Sequence, residues 1–182
     1  MRKIILALCG GTGSWSEPYR NSQRYDVRTL DILDGNDIRL FEIPDEPVYG
    51  ILAAPPCTHF ASSGARWFEE KGENALLEGL SVVDACIRII YACRPYFWAL
   101  ENPIGRLKRY LGKPRYYFDP CFYGDAYTKR TCLWGEFNIP KLTPVYPSEG
   151  SKMHLLPPSE DRWKKRSVTP KGFARAFFEA NQ

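Results

Sequence analysis

Histidine is nearly absent from this 182-residue chain, with two in all, and none of the six cysteines forms a C-x-x-C pair. A zinc site therefore has little to be built from, and no metal is expected. No apolar run approaches the ~20 residues of a membrane span, so no membrane partner is expected. The run Ile4 to Leu8 behind Met1-Arg2-Lys3 is too short for a signal peptide. Free thiols in a reducing cytoplasm are the simplest setting. Internal repeats and low-complexity tracts are also missing. With 14% aromatic and 25% charged residues, a collagen-like, coiled-coil or disordered chain is excluded. What is there suits one domain over residues 1–182, with enough apolar content (44%) for a real core.

The net charge of +4 hides a division. Residues 1–104 carry 10 basic and 14 acidic side chains, a net of −4, whereas residues 105–182 carry 15 and 7, a net of +8. A polyanion contacted by the C-terminal part explains such an asymmetry, and so does a solvated basic surface.

Along the chain, Lys3 to Leu8 is expected as a buried strand that breaks into the glycine turn Cys9-Gly10-Gly11-Thr12-Gly13-Ser14. A helix over Trp15 to Gln23, with Pro18 in its first turn, leads to a strand over Tyr25 to Leu30 ending on Asp31. A short third strand is placed near Asp37-Ile38, and Tyr49 to Ala54 forms the next, stopped by Pro55-Pro56. Apolar residues at spacings of three and four predict a helix over Asn74 to Cys93. Tyr96 to Leu100 is then a strand ending on Glu101-Asn102-Pro103, with a helix starting near Ile104. This order favours an α/β doubly wound, mostly parallel sheet with helices on both faces. Short strands are expected at Tyr116 to Phe118, Cys121 to Gly124 and Thr131 to Phe137. Residues 138–170 read as an irregular basic surface, and Pro170 opens a final amphipathic helix.

Ligands in open α/β sheets bind at the carboxyl ends of strands. Each unusual cluster of this sequence follows such an end. The turn at Gly10, Gly11 and Gly13 meets neither G-x-G-x-x-G nor a P-loop, which leaves an adenosine cofactor without a pyrophosphate or simply a tight turn. Asp31 stands at the spacing of an acid that binds a ribose hydroxyl pair. Cys57, stiffened by Pro55 and Pro56, is placed to attack a ligand if nearby positive charge lowers its pKa, or else packs as a small hydrophobe. Glu101, behind the apolar Phe97-Trp98-Ala99-Leu100, is suited to proton donation through a raised pKa, or caps the following helix. Ser62-Ser63-Gly64 continues a polar loop near His59, whose closeness in sequence to Cys57 makes a Cys-His hydrolase a distant reading.

Together these residues resemble the DNA cytosine-5 methyltransferases. Pro55-Pro56-Cys57 and Glu101-Asn102 are similar to their catalytic pair, and the turn Cys9 to Ser14 to their cofactor motif. Asp31 falls at the ribose-binding acid, and Asp37-Ile38 at an adenine contact. Arg130, within Tyr127-Thr128-Lys129-Arg130-Thr131, resembles their substrate-binding arginine, and Ser167-Val168-Thr169-Pro170 their closing motif. The resemblance implies a Rossmann-like class I fold that uses S-adenosyl-L-methionine and releases S-adenosyl-L-homocysteine. It implies a catalytic set of Cys57, Glu101 and Arg130, with Arg130 lowering the cysteine pKa. The implied cofactor set is Cys9, Gly10, Gly11, Gly13, Trp15, Asp31, Asp37, Ile38 and Pro55. Pro56, Ser62, Asn102 and Lys129 would touch substrate, and the basic segment 105–182 would hold DNA phosphates.

Small phage and prophage members, in bacterial or phage-infected cells, are the nearest kind. Leu8 or Cys9 stands where the family's stacking phenylalanine is usual, so that partner is either missing or supplied by Trp15, and Cys132 stands where a second arginine is usual. Only residues 131–166 replace the large target-recognition region, too few for an independent domain. A partner protein supplying recognition, the same chemistry on RNA, single-stranded DNA or a nucleotide, and a non-catalytic binding role are the alternatives.

Overall fold

The computed structural model describes residues 2–157, 159 and 162–182; Met1 and, within the basic segment, residues 158, 160 and 161 lie outside the described residues. Six strands form one sheet: β1 (Lys3–Leu8), β2 (Tyr25–Leu30), β3 (Val48–Ala53), β4 (Phe97–Pro103), β5 (Tyr116–Phe118) and β6 (Thr131–Glu136). Their spatial order is β2-β1-β3-β4-β6-β5. The first four are mutually parallel, and β6 runs antiparallel to both β4 and β5. The expected α/β sheet is thus present, with a single antiparallel strand, β6, next to the edge strand β5.

Strand β1 shows why the sheet is covered on both sides. Alternate side chains point to opposite faces, so Ile4, Leu6 and Leu8 enter one core and Ile5 the other. The first core is largely aliphatic and lies under α2 (Phe68–Cys93), whose Val83, Cys86, Ile89 and Ile90 are buried there. The second is aromatic and lies under α1 (Glu17–Arg20) and the C-terminal helix. There Phe173 stacks on Phe118 with centroids 3.8 Å apart, and Phe177 meets Trp15 edge-on at 5.4 Å.

Three short helices precede that last one: α3 (Lys108–Leu111), α4 (Lys152–Leu155) and α5 (Arg162–Ser167). The C-terminal helix, α6 (Lys171–Ala180), starts directly after Pro170, as expected. The first helix is shorter than expected, closing at Asn21. Helix α2 is longer, because Phe68 to Lys71 add a turn ahead of Gly72, which leaves helical geometry at φ 70°. Helix α3 begins four residues beyond Ile104.

Two expected strands are replaced by 3-10 turns. The Asp37 side chain accepts a hydrogen bond from the Arg39 amide at 3.0 Å, so Ile38–Leu40 coils instead of extending. At Pro120–Phe122, proline lacks an amide donor and opens another such turn. Among the described residues, no helix is long and apolar enough to cross a membrane.

Candidate active-site cleft

Strand order reverses between β1 and β3, and the crevice beyond their carboxyl ends is the place for a ligand in such a sheet. A cleft of about 440 Å³ opens there, within the size range of small-molecule sites. Cys9, Gly10, Gly11, Thr12 and Trp15 line it after β1, Pro55 to Cys57 after β3, and Glu101 from β4.

The glycine turn owes its path to backbone freedom. Gly11 and Gly13 have φ of 45° and 69°, and Cys9 shares the left-handed region at 53°. A Cβ on Gly11 would have only the Asp31 carboxylate, at 4.0 Å, nearby, so the backbone lies open to close approach. Asp31 is 6% exposed and accepts from the Gly11 amide at 2.7 Å and the Leu33 amide at 2.9 Å. It holds the turn in place from outside the cleft lining. Gly13 also lies outside the lining. Asp37 and Ile38 border a separate hollow of about 300 Å³ with Leu30, Asn36 and Phe41.

The loop after Cys57 is stapled to the loop after Glu101. Ser62 donates to the Ile104 carbonyl through both its amide (2.8 Å) and its hydroxyl (2.9 Å). The Arg106 amide donates to Phe60 O at 2.8 Å, and its guanidinium to His59 O at 2.7 Å. Gly105 makes this approach possible, since a Cβ there would fall 1.8 Å from the Phe60 carbonyl oxygen. Ser62 lines the cleft, but its hydroxyl is already spent on this staple. Asn102 is fully buried and donates to the Pro55 carbonyl at 2.9 Å. Its place is behind the Pro55-Pro56-Cys57 loop, away from where a substrate would sit. The His59 ring packs at Gly79 of α2, so it gives Cys57 no base.

The electrostatics differ from the sequence expectation in one respect. Cys57 is exposed to the cleft, yet the protein atoms packed around it desolvate the thiol and raise its pKa above the ordinary value, and the Glu101 charge raises it further; Lys129 and Arg166 act in the opposite direction. Glu101 is itself raised by burial, with Lys129 opposing. Arg130 also lines the cleft, yet its guanidinium pairs with Asp119 at 2.9 Å, and it is not among the charges acting on Cys57. The cations that favour the thiolate are therefore Lys129, expected only as a substrate contact, and Arg166, expected only as part of the phosphate-holding segment 105–182.

Those two are wired to the cleft's far side. Lys129 Nζ donates to the Arg166 carbonyl at 2.7 Å and the Val168 carbonyl at 3.4 Å. Arg166 reaches Ser63 Oγ at 3.3 Å, and the Thr169 amide donates to Ser14 Oγ at 2.8 Å. Ser167, Thr169 and Asp119 complete this wall. The sequence marks Arg166 only as part of the basic surface over residues 138–170, and nothing in it singles out Asp119. Among the described residues, no three His, Cys, Asp or Glu side chains are grouped to hold a metal ion.

No protein-family model and no curated protein matches the chain. It is similar to a solved prophage-encoded protein of E. coli, provisionally named a DNA modification methyltransferase. Identity is 17% and the TM-score 0.52, over 79% of this chain and 53% of that one. The chain spans about half the length of the solved protein it matches. The shared feature is the fold, a six-stranded α/β sheet covered by helices on both faces.

Proposed function

We propose that the protein transfers a methyl group from S-adenosylmethionine to carbon 5 of cytosine in DNA, through a covalent bond to Cys57. One observation carries the proposal: Cys57 and Glu101 stand at the ends of adjacent parallel strands and line one cleft with the glycine turn. A fold similar to that of a provisionally named DNA modification methyltransferase agrees with it.

The residues present fit the cofactor. Gly11 offers an open backbone, Trp15 and Pro55 line the cleft with apolar groups, and Asp31 fixes the turn while keeping unused lone pairs. When bound, S-adenosylmethionine supplies a methyl group activated by a sulfonium charge. The chain's own groups supply the rest. Cys57 sulfur bonds to ring carbon 6, making carbon 5 nucleophilic and dividing one hard step into two easier ones. Glu101, protonated more readily than an ordinary carboxyl, donates to ring nitrogen 3 and draws charge from the ring. Lys129 and Arg166 favour the thiolate, and Arg130, held by Asp119, takes the base carbonyl. After methylation the carbon 5 proton leaves to a base, the 5,6 double bond re-forms and Cys57 is expelled.

The test is transfer of labelled methyl from the cofactor to cytosine-containing DNA, with dCMP and RNA alongside. Label recovered as 5-methylcytosine in DNA is expected. Intact cofactor binding with no label in DNA would overturn the proposal.

A further inference from the structure

Of the five tryptophans, Trp15 and Trp134 are buried and Trp98 is half-buried, but Trp67 is 46% exposed and Trp163 is 56% exposed. Both exposed indoles sit on elements that contribute other residues to the cleft lining. Trp67 ends the 3-10 segment Ser62–Trp67, whose Ser62 and Ser63 line the cleft. Trp163 lies on α5, three and four residues before Arg166 and Ser167, which also line it. Residues at that spacing share a helix face. The hydrogen bond from Arg166 to Ser63 joins the two elements directly.

Cations interleave with these rings. The Arg66 guanidinium lies 4.9 Å from the centroid of the Trp67 ring, and exposed Lys164 and Lys165 follow Trp163. Glu69 and Glu70 open α2 just beyond Trp67 and repel a phosphate backbone from that side. The basic side nearby is α5, with Lys164, Lys165 and Arg166.

We infer that the substrate is single-stranded DNA, with unpaired bases beside the target cytosine stacked on Trp67 and Trp163 and the backbone held by Arg66, Lys164 and Lys165. This rests on the methyltransferase proposal for the target atom, not for the binding surface. An exposed indole flanked by cations matches the face of an unpaired base, and in a duplex those faces are already covered by neighbouring bases. An unpaired cytosine also reaches Cys57 without the unstacking cost of flipping. Stacking of this kind needs no recognition domain, in keeping with the short 131–166 segment.

The experiment is fluorescence anisotropy of a labelled 12-nucleotide cytosine-containing DNA strand, the same sequence as a duplex, and the same sequence as RNA, without cofactor. Single-stranded DNA is expected to bind at least ~10-fold tighter than the duplex, with each of Trp67→Ala and Trp163→Ala weakening it roughly tenfold and leaving the duplex unchanged. Trp67→Phe and Trp163→Phe are expected to keep most of the affinity, since a ring remains. Tighter binding to the duplex or to RNA, or alanine variants that bind single-stranded DNA as well as the unaltered protein, would overturn the inference. The two proposals fail separately. Tryptophan-dependent strand binding without methyl transfer removes only the chemistry, and methylation of duplex DNA by the alanine variants at full rate removes only the strand preference.

Discussion

The two walls of the cleft are built in different ways. The near wall consists of parallel strand ends, where Cys57 and Glu101 are fixed by backbone staples and carry no full positive charge between them. The far wall is assembled from distant segments, with Lys129 tied to carbonyls 37 and 39 residues further on, and it holds the cations. The near wall taken alone disfavours a thiolate, since desolvation and Glu101 both raise the Cys57 pKa. In the proposed mechanism, placement of the nucleophile and its activation are thus separate contributions from separate parts of the chain.

If that division holds, substitutions on the near wall abolish chemistry, and those on the far wall tune it. Cys57→Ala should lower methyl transfer by on the order of 10³-fold or more, because no covalent path remains. Glu101→Gln should lower it by roughly 10²- to 10⁴-fold, the usual worth of a placed proton donor. Both are read from initial rates with labelled cofactor, and a Cys57→Ala rate within tenfold of the original would break the scheme.

Smaller effects follow on the far wall. Lys129→Ala and Arg166→Ala should slow iodoacetamide alkylation of Cys57 several-fold at pH 7.5, since each removes a charge that favours the thiolate. Glu101→Gln should speed the same alkylation, because the anion that opposes the thiolate is gone. Mass spectrometry of the Cys57 peptide gives the rates. Equal rates in all three variants would show that the far wall does not act on the thiol.

The smallest effect is on stability. The folded-state pKa of Glu101 is raised, so its contribution is fully present at low pH and is lost as pH rises through the folded value. Glu101→Gln should therefore melt higher than the original protein at pH 7.5, by about 2–4 °C for each kcal/mol relieved. The difference should shrink toward pH 4, which thermal melts at the two pH values would show.

The same contrast governs what the sequence made legible. Near-wall residues stand where an apolar run ends, and those signals are local: Leu8 ahead of Gly10, Ala53 ahead of Pro55, and the run Phe97 to Leu100 giving way to Glu101. Asp37 broke that pattern because its own side chain captures a neighbouring amide and coils the chain. Asn102 looked like a ligand contact from its place beside Glu101, but adjacent strand residues face opposite sides of the sheet. On the far wall, choosing between Lys129 and Arg130 depended on Asp119, which claims the arginine. That pairing spans 11 residues and leaves no periodic trace in the chain. The role of Arg166 likewise came from the fold, through its reach to Ser63 across 103 residues.

The most direct measurement is intact-mass spectrometry of the protein after incubation with S-adenosylmethionine and a DNA strand containing 5-fluorocytosine, whose ring carbon 5 has no proton to lose. The account predicts a stable one-to-one protein–DNA adduct, mapped to Cys57 and missing in Cys57→Ser. An adduct that persists in Cys57→Ser, or methylation of ordinary cytosine with no adduct on the fluorinated strand, would contradict it.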